Sequence, residues 1–409
     1  MTQDEPVLDG RTVQTADVLK RGQRAAQLKR TENGIEFSYL EGYLSDNGTP
    51  VATTLPLSSE PKIYRAGAVP PFFAGMLPEG RRLFALRRQV KTSADDELSL
   101  LLAVGADVVG DVQVVPEGVT PTQPDPLISV SESFTEVSFA RILGEAGLID
   151  RTGIPGVQDK ASAQMISVPA SRAGARYILK VDPPDYPNVV ENEHYFINLA
   201  RAAGITCVDA DLVTDAEGRY GLLVRRFDRM AVEGESKPLA CEDACQLLDL
   251  WPADKYNVTS EQVTNAISKV CPAGPVAARD VFRQLTFAWL TGNGDVHAKN
   301  LSVLDDGSGE FRVAPAYDLP STLPYRDFDL ALPMQGKKAG LSRRVMLEFA
   351  ETIGVPSKAA GKIIDDLLDA TSDVIDELTS GALPFDQRVI SDWVRNLRDR
   401  RRHLSDRAS

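Results

Sequence analysis

Gly294-Asp295-Val296-His297-Ala298-Lys299-Asn300 follows an apolar helical pattern and runs into the strand-like Leu301-Ser302-Val303-Leu304. Asp305-Asp306-Gly307-Ser308-Gly309 then supplies a turn, 311–313 a return strand and Ala316-Tyr317-Asp318-Leu319 the exit. Two short strands around a glycine-containing turn read as a hairpin, so Asp318 is expected beside Asp295. Phosphoryl transfer needs such a set. One carboxylate orients the attacking hydroxyl and accepts its proton, while an amide oxygen and a second carboxylate hold the magnesium that bridges the nucleotide phosphates. Protein kinases place the magnesium-binding Asn five residues after the catalytic Asp, the offset from Asp295 to Asn300. Asp295 is therefore the expected base, and Asn300 and Asp318 the metal ligands. Lys299 is expected to stabilise charge on the transferred group, and His297 to prop the loop. A lone Asp-x-His would be an ordinary side-chain-capped turn; the ordered set is what carries the chemistry.

The other half of such a site is found upstream. Lys180 ends the strand-like Tyr177-Ile178-Leu179, and Glu193 lies on the helical pattern 191–203, where Phe196, Leu199, Ala200 and Ala203 share one face. A strand lysine on the α- and β-phosphates, held by a helix glutamate, is the kinase arrangement. Gly156-Val157-Gln158-Asp159-Lys160-Ala161-Ser162 precedes a strand and can cradle phosphates with backbone N–H groups. It is no Walker A loop, and alone it reads equally as a turn. Leu223-Val224-Arg225-Arg226-Phe227-Asp228 stands where an adenine-binding hinge is expected, with Phe227 packed near the purine.

The chain has 409 residues, 43% hydrophobic and 25% charged, the balance of a globular protein with two or three compact units. The acidic start lacks the basic and apolar stretches of a signal peptide, and no apolar run spans a bilayer. A cytoplasmic protein without membrane association is expected. Its net charge of −13 disfavours nucleic-acid binding by the whole surface. Four cysteines make no disulfide framework, and with three scattered histidines a zinc site is not expected. Cys241 and Cys245 fall in a helical pattern as small packing residues.

Strand-like runs such as 34–43 alternate with turns in the first section, and a helical section runs over 72–102. A strand at 112–115 follows, closed by Pro116, and prolines 116, 121, 124 and 126 mark an extended connector. Further strands are expected at 163–168, 177–181 and 221–224, with mostly helix beyond Leu239. The boundaries are an N-terminal domain over 1–120, a linker over 121–135, a β-rich lobe over 136–240 and a helical lobe over 241–409. The fold class is α+β: a two-lobed, protein-kinase-like fold with an extra N-terminal β-rich domain. The C-terminal arginines 395, 398, 400, 401, 402 and 407 read as a solvated helix end.

Taken together, these residues resemble the HipA serine/threonine kinases of bacterial toxin–antitoxin systems. The resemblance rests on Gly156-Val-Gln-Asp-Lys160, Val224-Arg-Arg-Phe-Asp-Arg229, Gly294 to Asn300, Ala316 to Leu319 and Asp329 to Lys338. In the first domain it rests on Leu55-Pro56-Leu57, the stretch Phe73 to Glu79 and the stretch Leu101 to Glu117, so it runs from about Ala16 to the C-terminal helices. It implies ATP and Mg2+ as cofactors. Pro155, Gly156, Val157, Gln158, Asp159, Lys160 and Lys180 would lie at the phosphates, and Arg225, Arg226 and Phe227 at the adenine. His297, Ala298, Lys299 and Asn300, with Tyr317 and Asp318, would surround metal and phosphates. It further implies a growth-inhibiting toxin that phosphorylates protein serine or threonine, with aminoacyl-tRNA synthetases among the family's characterised targets. The implied partner is a HipB-type helix-turn-helix antitoxin, through which operator DNA is contacted only indirectly. Two departures stand out. Gly153 replaces the serine whose autophosphorylation silences many members, and Arg225 replaces an acidic hinge residue.

A small-molecule phosphotransferase of the aminoglycoside or choline kinase type shares the Asp-x-His-x-x-Asn loop, but not the N-terminal domain or the Gly-Val-Gln-Asp-Lys loop. A catalytically silent kinase-fold co-regulator is the other alternative, opposed by the filled catalytic positions.

Overall fold

The computed structural model describes residues 10–405 apart from residues 47, 66, 94, 132, 146–164, 184, 233–234 and 306. The first unit is an antiparallel sheet of β1 (Thr15–Lys20), β2 (Gln23–Thr31), β3 (Gly34–Tyr39), β4 (Lys62–Tyr64) and β5 (Val112–Pro116), in the order β4-β3-β2-β1-β5. The alternation in β3 turns Ile35, Phe37 and Tyr39 inward. They meet Phe72, Phe73, Leu98 and Leu101 in one core. The stretch expected to be one helical section is three helices, Pro71–Ala74, Gly80–Val90 and Glu97–Val104. Lys91 ends the second in the left-handed conformation (φ 56°), and the Asp96 side chain caps the third by accepting from Ser99 N–H.

The second unit is a sheet of β6 (Ile128–Val130), β7 (Ile166–Arg172), β8 (Ala175–Val181), β9 (Ala210–Thr214) and β10 (Tyr220–Arg225), in the order β6-β7-β8-β10-β9. Two expectations need correcting here. β6 lies inside the stretch read as connector and pairs in parallel with β7. The strand expected at 163–168 starts at Ile166 and runs on to Arg172. Val189–Ala202 forms the helix that packs on β9 and β10, burying Phe196 and Ala200.

A hairpin of β11 (Arg229–Val232) and β12 (Glu235–Pro238) leads into the helical lobe. A small sheet in that lobe joins β13 (Cys241–Asp243), β14 (Ser302–Asp305) and β15 (Phe311–Val313). Cys241 is thus on a strand and not in a helix, while Cys245 sits in the short helix Ala244–Leu247; both thiols are free. Gly274–Thr291 is the central helix, with Val281, Phe282, Leu285, Phe287 and Leu290 buried. In the C-terminal helix Gln387–Ser405 the reading of the arginines as a solvated end holds for Arg395, Arg398 and Arg402, which are exposed, and needs correcting at Arg400 and Arg401, while Arg407 lies outside the described residues. Arg400 is 5% exposed, donates to the Trp289 carbonyl at 2.8 Å and lies 4.0 Å from the centre of the Trp289 ring. Arg401 donates to the carbonyls of Thr371 and Leu368.

Candidate active site

The central helix ends at Gly292 (φ 74°), and the turn that follows is built around glycine. Gly294 N–H donates to Thr322 Oγ1 at 2.9 Å, and a Cβ at this position would fall 2.5 Å from the Asp329 carbonyl. Any side chain there would push the loop off its support. The next residue, Asp295, is 3% exposed. Its N–H donates to Asn293 Oδ1, and its Oδ1 accepts from the Tyr256 hydroxyl at 3.0 Å. Burial, followed by the Asp295 charge, drives the Tyr256 phenol well above its usual pKa. Tyr256 therefore remains a donor that orients this carboxylate.

His297 closes the turn over Ala298–Asn300. Its N–H donates to Asn300 Oδ1 at 3.1 Å, and its Nδ1 accepts from Lys299 N–H at 3.3 Å. Burial, with Lys255 nearby, pushes the imidazole down to about 3, which leaves it neutral and able to accept. The hairpin of β14 and β15 then returns the chain as the sequence predicts. Tyr317 donates to the Lys299 carbonyl at 2.6 Å and stacks on Phe227 with ring centres 5.6 Å apart.

Asp318 adopts φ 60°, a left-handed conformation that Asp tolerates better than most residues. Its carbonyl accepts from Asn293 Nδ2 at 3.0 Å and its Oδ2 from Asn300 Nδ2 at 2.8 Å. Its Oδ1 accepts from Lys180 Nζ at 3.1 Å. Lys180 also donates to both carboxylate oxygens of Glu193, at 2.7 and 2.9 Å. Burial opposes the ammonium, but Asp318 and Glu193 outweigh it and hold the Lys180 pKa above the ordinary lysine value. Lys180 on β8, Glu193 on the helix behind it and Asp318 in the helical lobe thus meet at one ammonium group. Asp318 and Asn300 together offer a carboxylate and an amide, hard oxygen donors that suit magnesium completed by phosphate oxygens and water.

Not every expected site residue joins this group. Lys299 turns the other way. Its Nζ donates to the Gly75 carbonyl at 3.0 Å and lies 2.8 Å from Glu79 Oε1, both in the N-terminal unit. Arg226 also faces that unit, bonding Asp107 and the Val108 carbonyl at 2.8 Å, and Asp228 besides. Arg225 is exposed, and its N–H donates to the Asp209 carbonyl. Ala298 is buried, with its N–H on the Lys255 carbonyl. Pro155, Gly156, Val157, Gln158, Asp159 and Lys160, together with Gly153, lie outside the described residues. A cavity of about 600 Å³ between the start of the central helix and β15, lined by Ile205, Arg283 and Phe311, involves none of these residues.

Sequence reasoning missed Asn293, Tyr256, Glu79 and Lys255. Asn293, two positions before Asp295, was the one with a local signal. Lys255 also pairs with Glu79. Burial raises the Glu79 carboxyl, but Lys299 and Lys255 prevail and bring it to about 2.

The HipA-like C-terminal domain model matches residues 152–375 and the HipA N-terminal domain model residues 16–115. Y4mE of Sinorhizobium fredii is 30% identical over 393 residues, covering 89% of this chain and 91% of that protein. A serine/threonine-protein kinase toxin HipA of Shewanella oneidensis is 28% identical over 317 residues, 70% of each chain. In three dimensions the chain is similar to the HipA chain solved from Shewanella oneidensis with HipB and operator DNA. The TM-score is 0.75 at 21% identity, covering 95% of this chain and 97% of that one.

Proposed function

Because the chain belongs to the HipA family, a family with kinase members, we propose that it is an ATP- and Mg2+-dependent protein serine/threonine kinase that inhibits growth as a toxin. The observation that carries this reading is the meeting of Lys180, Glu193 and Asp318 beside Asn300. Asp295 sits in the same loop, its carboxylate oriented by Tyr256.

In this reading Asp295 orients the substrate hydroxyl and accepts its proton. Glu193 holds Lys180, which exchanges its bond to Asp318 for one to the nucleotide phosphates. Asp318 and Asn300 would hold magnesium, which when bound neutralises charge on those phosphates. Asn300 keeps the loop closed through its bond from His297 N–H, and the neutral imidazole of His297 in turn holds Lys299 N–H. Phe227, backed by Tyr317, forms one wall for the adenine. Pro155 to Lys160 are assigned to the phosphates on their resemblance to the family. The side chain of Lys299 is instead assigned to the junction with the N-terminal unit, where its partners lie.

The relative solved with HipB and operator DNA supports a helix-turn-helix antitoxin as partner. DNA would be reached through that partner, consistent with the net charge of −13. No helix among the described residues is long and apolar enough to cross a membrane, and we place the protein in the cytoplasm. The protein substrate, by family resemblance, belongs to the class of aminoacyl-tRNA synthetases.

Incubation of purified protein with γ-labelled ATP, Mg2+ and cell lysate tests the reading. A labelled protein band is expected, lost in Asp295→Asn together with growth inhibition. Label found only in small molecules would indicate a small-molecule phosphotransferase. Equal toxicity of wild type and variant without any transfer would leave a silent co-regulator.

A further inference from the structure

The N-terminal unit grips the segments that carry the site. Arg226 and Arg229, at the hinge, bond Asp107 and the Val108 carbonyl, and Arg229 also reaches the Gly110 carbonyl. Glu242 on β13 accepts from Thr53 N–H at 3.0 Å and from its hydroxyl at 2.7 Å. Gln246 Nε2 donates to the Phe72 carbonyl at 2.8 Å, and Arg21 pairs with Asp305 at the end of β14. The segment between the helices Pro71–Ala74 and Gly80–Val90 then reaches the catalytic turn itself. The Gly75 carbonyl and the Glu79 carboxylate take the Lys299 ammonium, and Glu79 pairs with Lys255 as well.

Lys299 stands between His297 and Asn300 in the chain, and its backbone is held on both sides. Its N–H donates to His297 Nδ1, and its carbonyl accepts from Tyr317. A side chain anchored outside the loop, on a residue with both backbone groups fixed inside it, sets where the loop sits relative to its support. Lys255 strengthens the anchor, because its carbonyl accepts Ala298 N–H while its ammonium meets the same glutamate. The side chains of Lys255 and Lys299 are only 12% and 14% exposed, so loss of Glu79 removes the carboxylate that both ammonium groups share and leaves Lys299 with the Gly75 carbonyl and the more general field of Asp243.

We propose that Glu79 is a positioning residue of the kinase. Through Lys299 and Lys255 it fixes the turn that holds Asp295 and Asn300, so the catalytic loop is completed by the N-terminal unit. The proposal rests on the kinase reading above but adds a role for a residue outside both lobes.

The test is Glu79→Gln in the full chain, with two readouts. The first is kcat and KM for ATP. A 10- to 100-fold loss of kcat with KM within about threefold is expected, since the turn and not the nucleotide cleft is disturbed. The second is amide hydrogen exchange over residues 296–300, expected to quicken at least tenfold while the central helix stays protected. If this variant does not fold, Glu79→Asp, which keeps the charge but withdraws it by one methylene, is read in the same way. Unchanged kcat with unchanged exchange over 296–300 overturns the proposal. Should the wild type transfer no phosphate, the kinase reading fails, and hydrogen exchange still decides whether Glu79 holds the turn.

Discussion

Lys180 and Lys299 are both side chains with 14% exposure, and each is paired with a glutamate. They are placed to different ends. Lys180 shares its ammonium between Glu193, from the neighbouring helix, and Asp318, from the opposite lobe. Release of either carboxylate would thus leave the ammonium with the other. Lys299 is held by Gly75 and Glu79 of a separate unit, and release from them would loosen the turn it belongs to. A buried lysine–carboxylate pair is therefore no signature of nucleotide contact by itself. What distinguishes the two is whether the carboxylate can give way.

The largest effect expected on this contrast is at Lys180. Lys180→Met should reduce phosphoryl transfer by about 10³-fold, near 4 kcal/mol of transition-state stabilisation, with folding retained; single-turnover kinetics provides the measure. Next comes the hinge. Arg226→Ala removes a guanidinium with 9% exposure from Asp107 and Asp228, both of which keep Arg229 as a partner, and a loss of about 2 kcal/mol is expected from the charge-assisted hydrogen bonds removed. A lower urea midpoint would register it. Lys299→Met should cost about tenfold in kcat, roughly 1.4 kcal/mol, and leave KM for ATP almost unchanged. An effect as large as that of Lys180→Met would erase the distinction between the two lysines.

The smallest effect is one of pH. Glu79 titrates near 2 in the folded chain, below the ordinary carboxylate value of 4.5. Its contribution is complete above pH 4.5 and disappears as the pH falls from 4.5 to 2, because the unfolded state takes up the proton first. Thermal melts across that window should fall less steeply for Glu79→Gln than for the wild type.

What could be read from the sequence was what the chain encodes locally. The offset from Asp295 to Asn300, the turn at Gly307 and the return to Asp318 are consecutive, so their order predicts their meeting. Lys180 and Glu193 were legible as a strand followed by its helix. The side-chain partners of Arg226 and Lys299 were not legible for the opposite reason, since Asp107 and Glu79 lie far upstream and no local pattern ties them together. The three-residue strand β6, in a stretch punctuated by prolines, is too short for periodicity to show, and its pairing with β7 supplies what its sequence lacks. Arg400 looked solvated among its charged neighbours. The groups that bury it, the Trp289 carbonyl and ring, belong to another helix.

The left-handed backbone at Asp318 restricts which amino acids the chain can substitute there. Asparagine and glycine fit that conformation readily, whereas β-branched residues do not. Asparagine would keep the shape of the turn while removing a negative charge from Lys180, so exchange at this one position separates geometry from electrostatics. Glutamate would keep the charge but fit the turn less well. The alphabet usable at position 318 is thus narrower than ligand chemistry alone would allow, and backbone conformation filters it before any metal does.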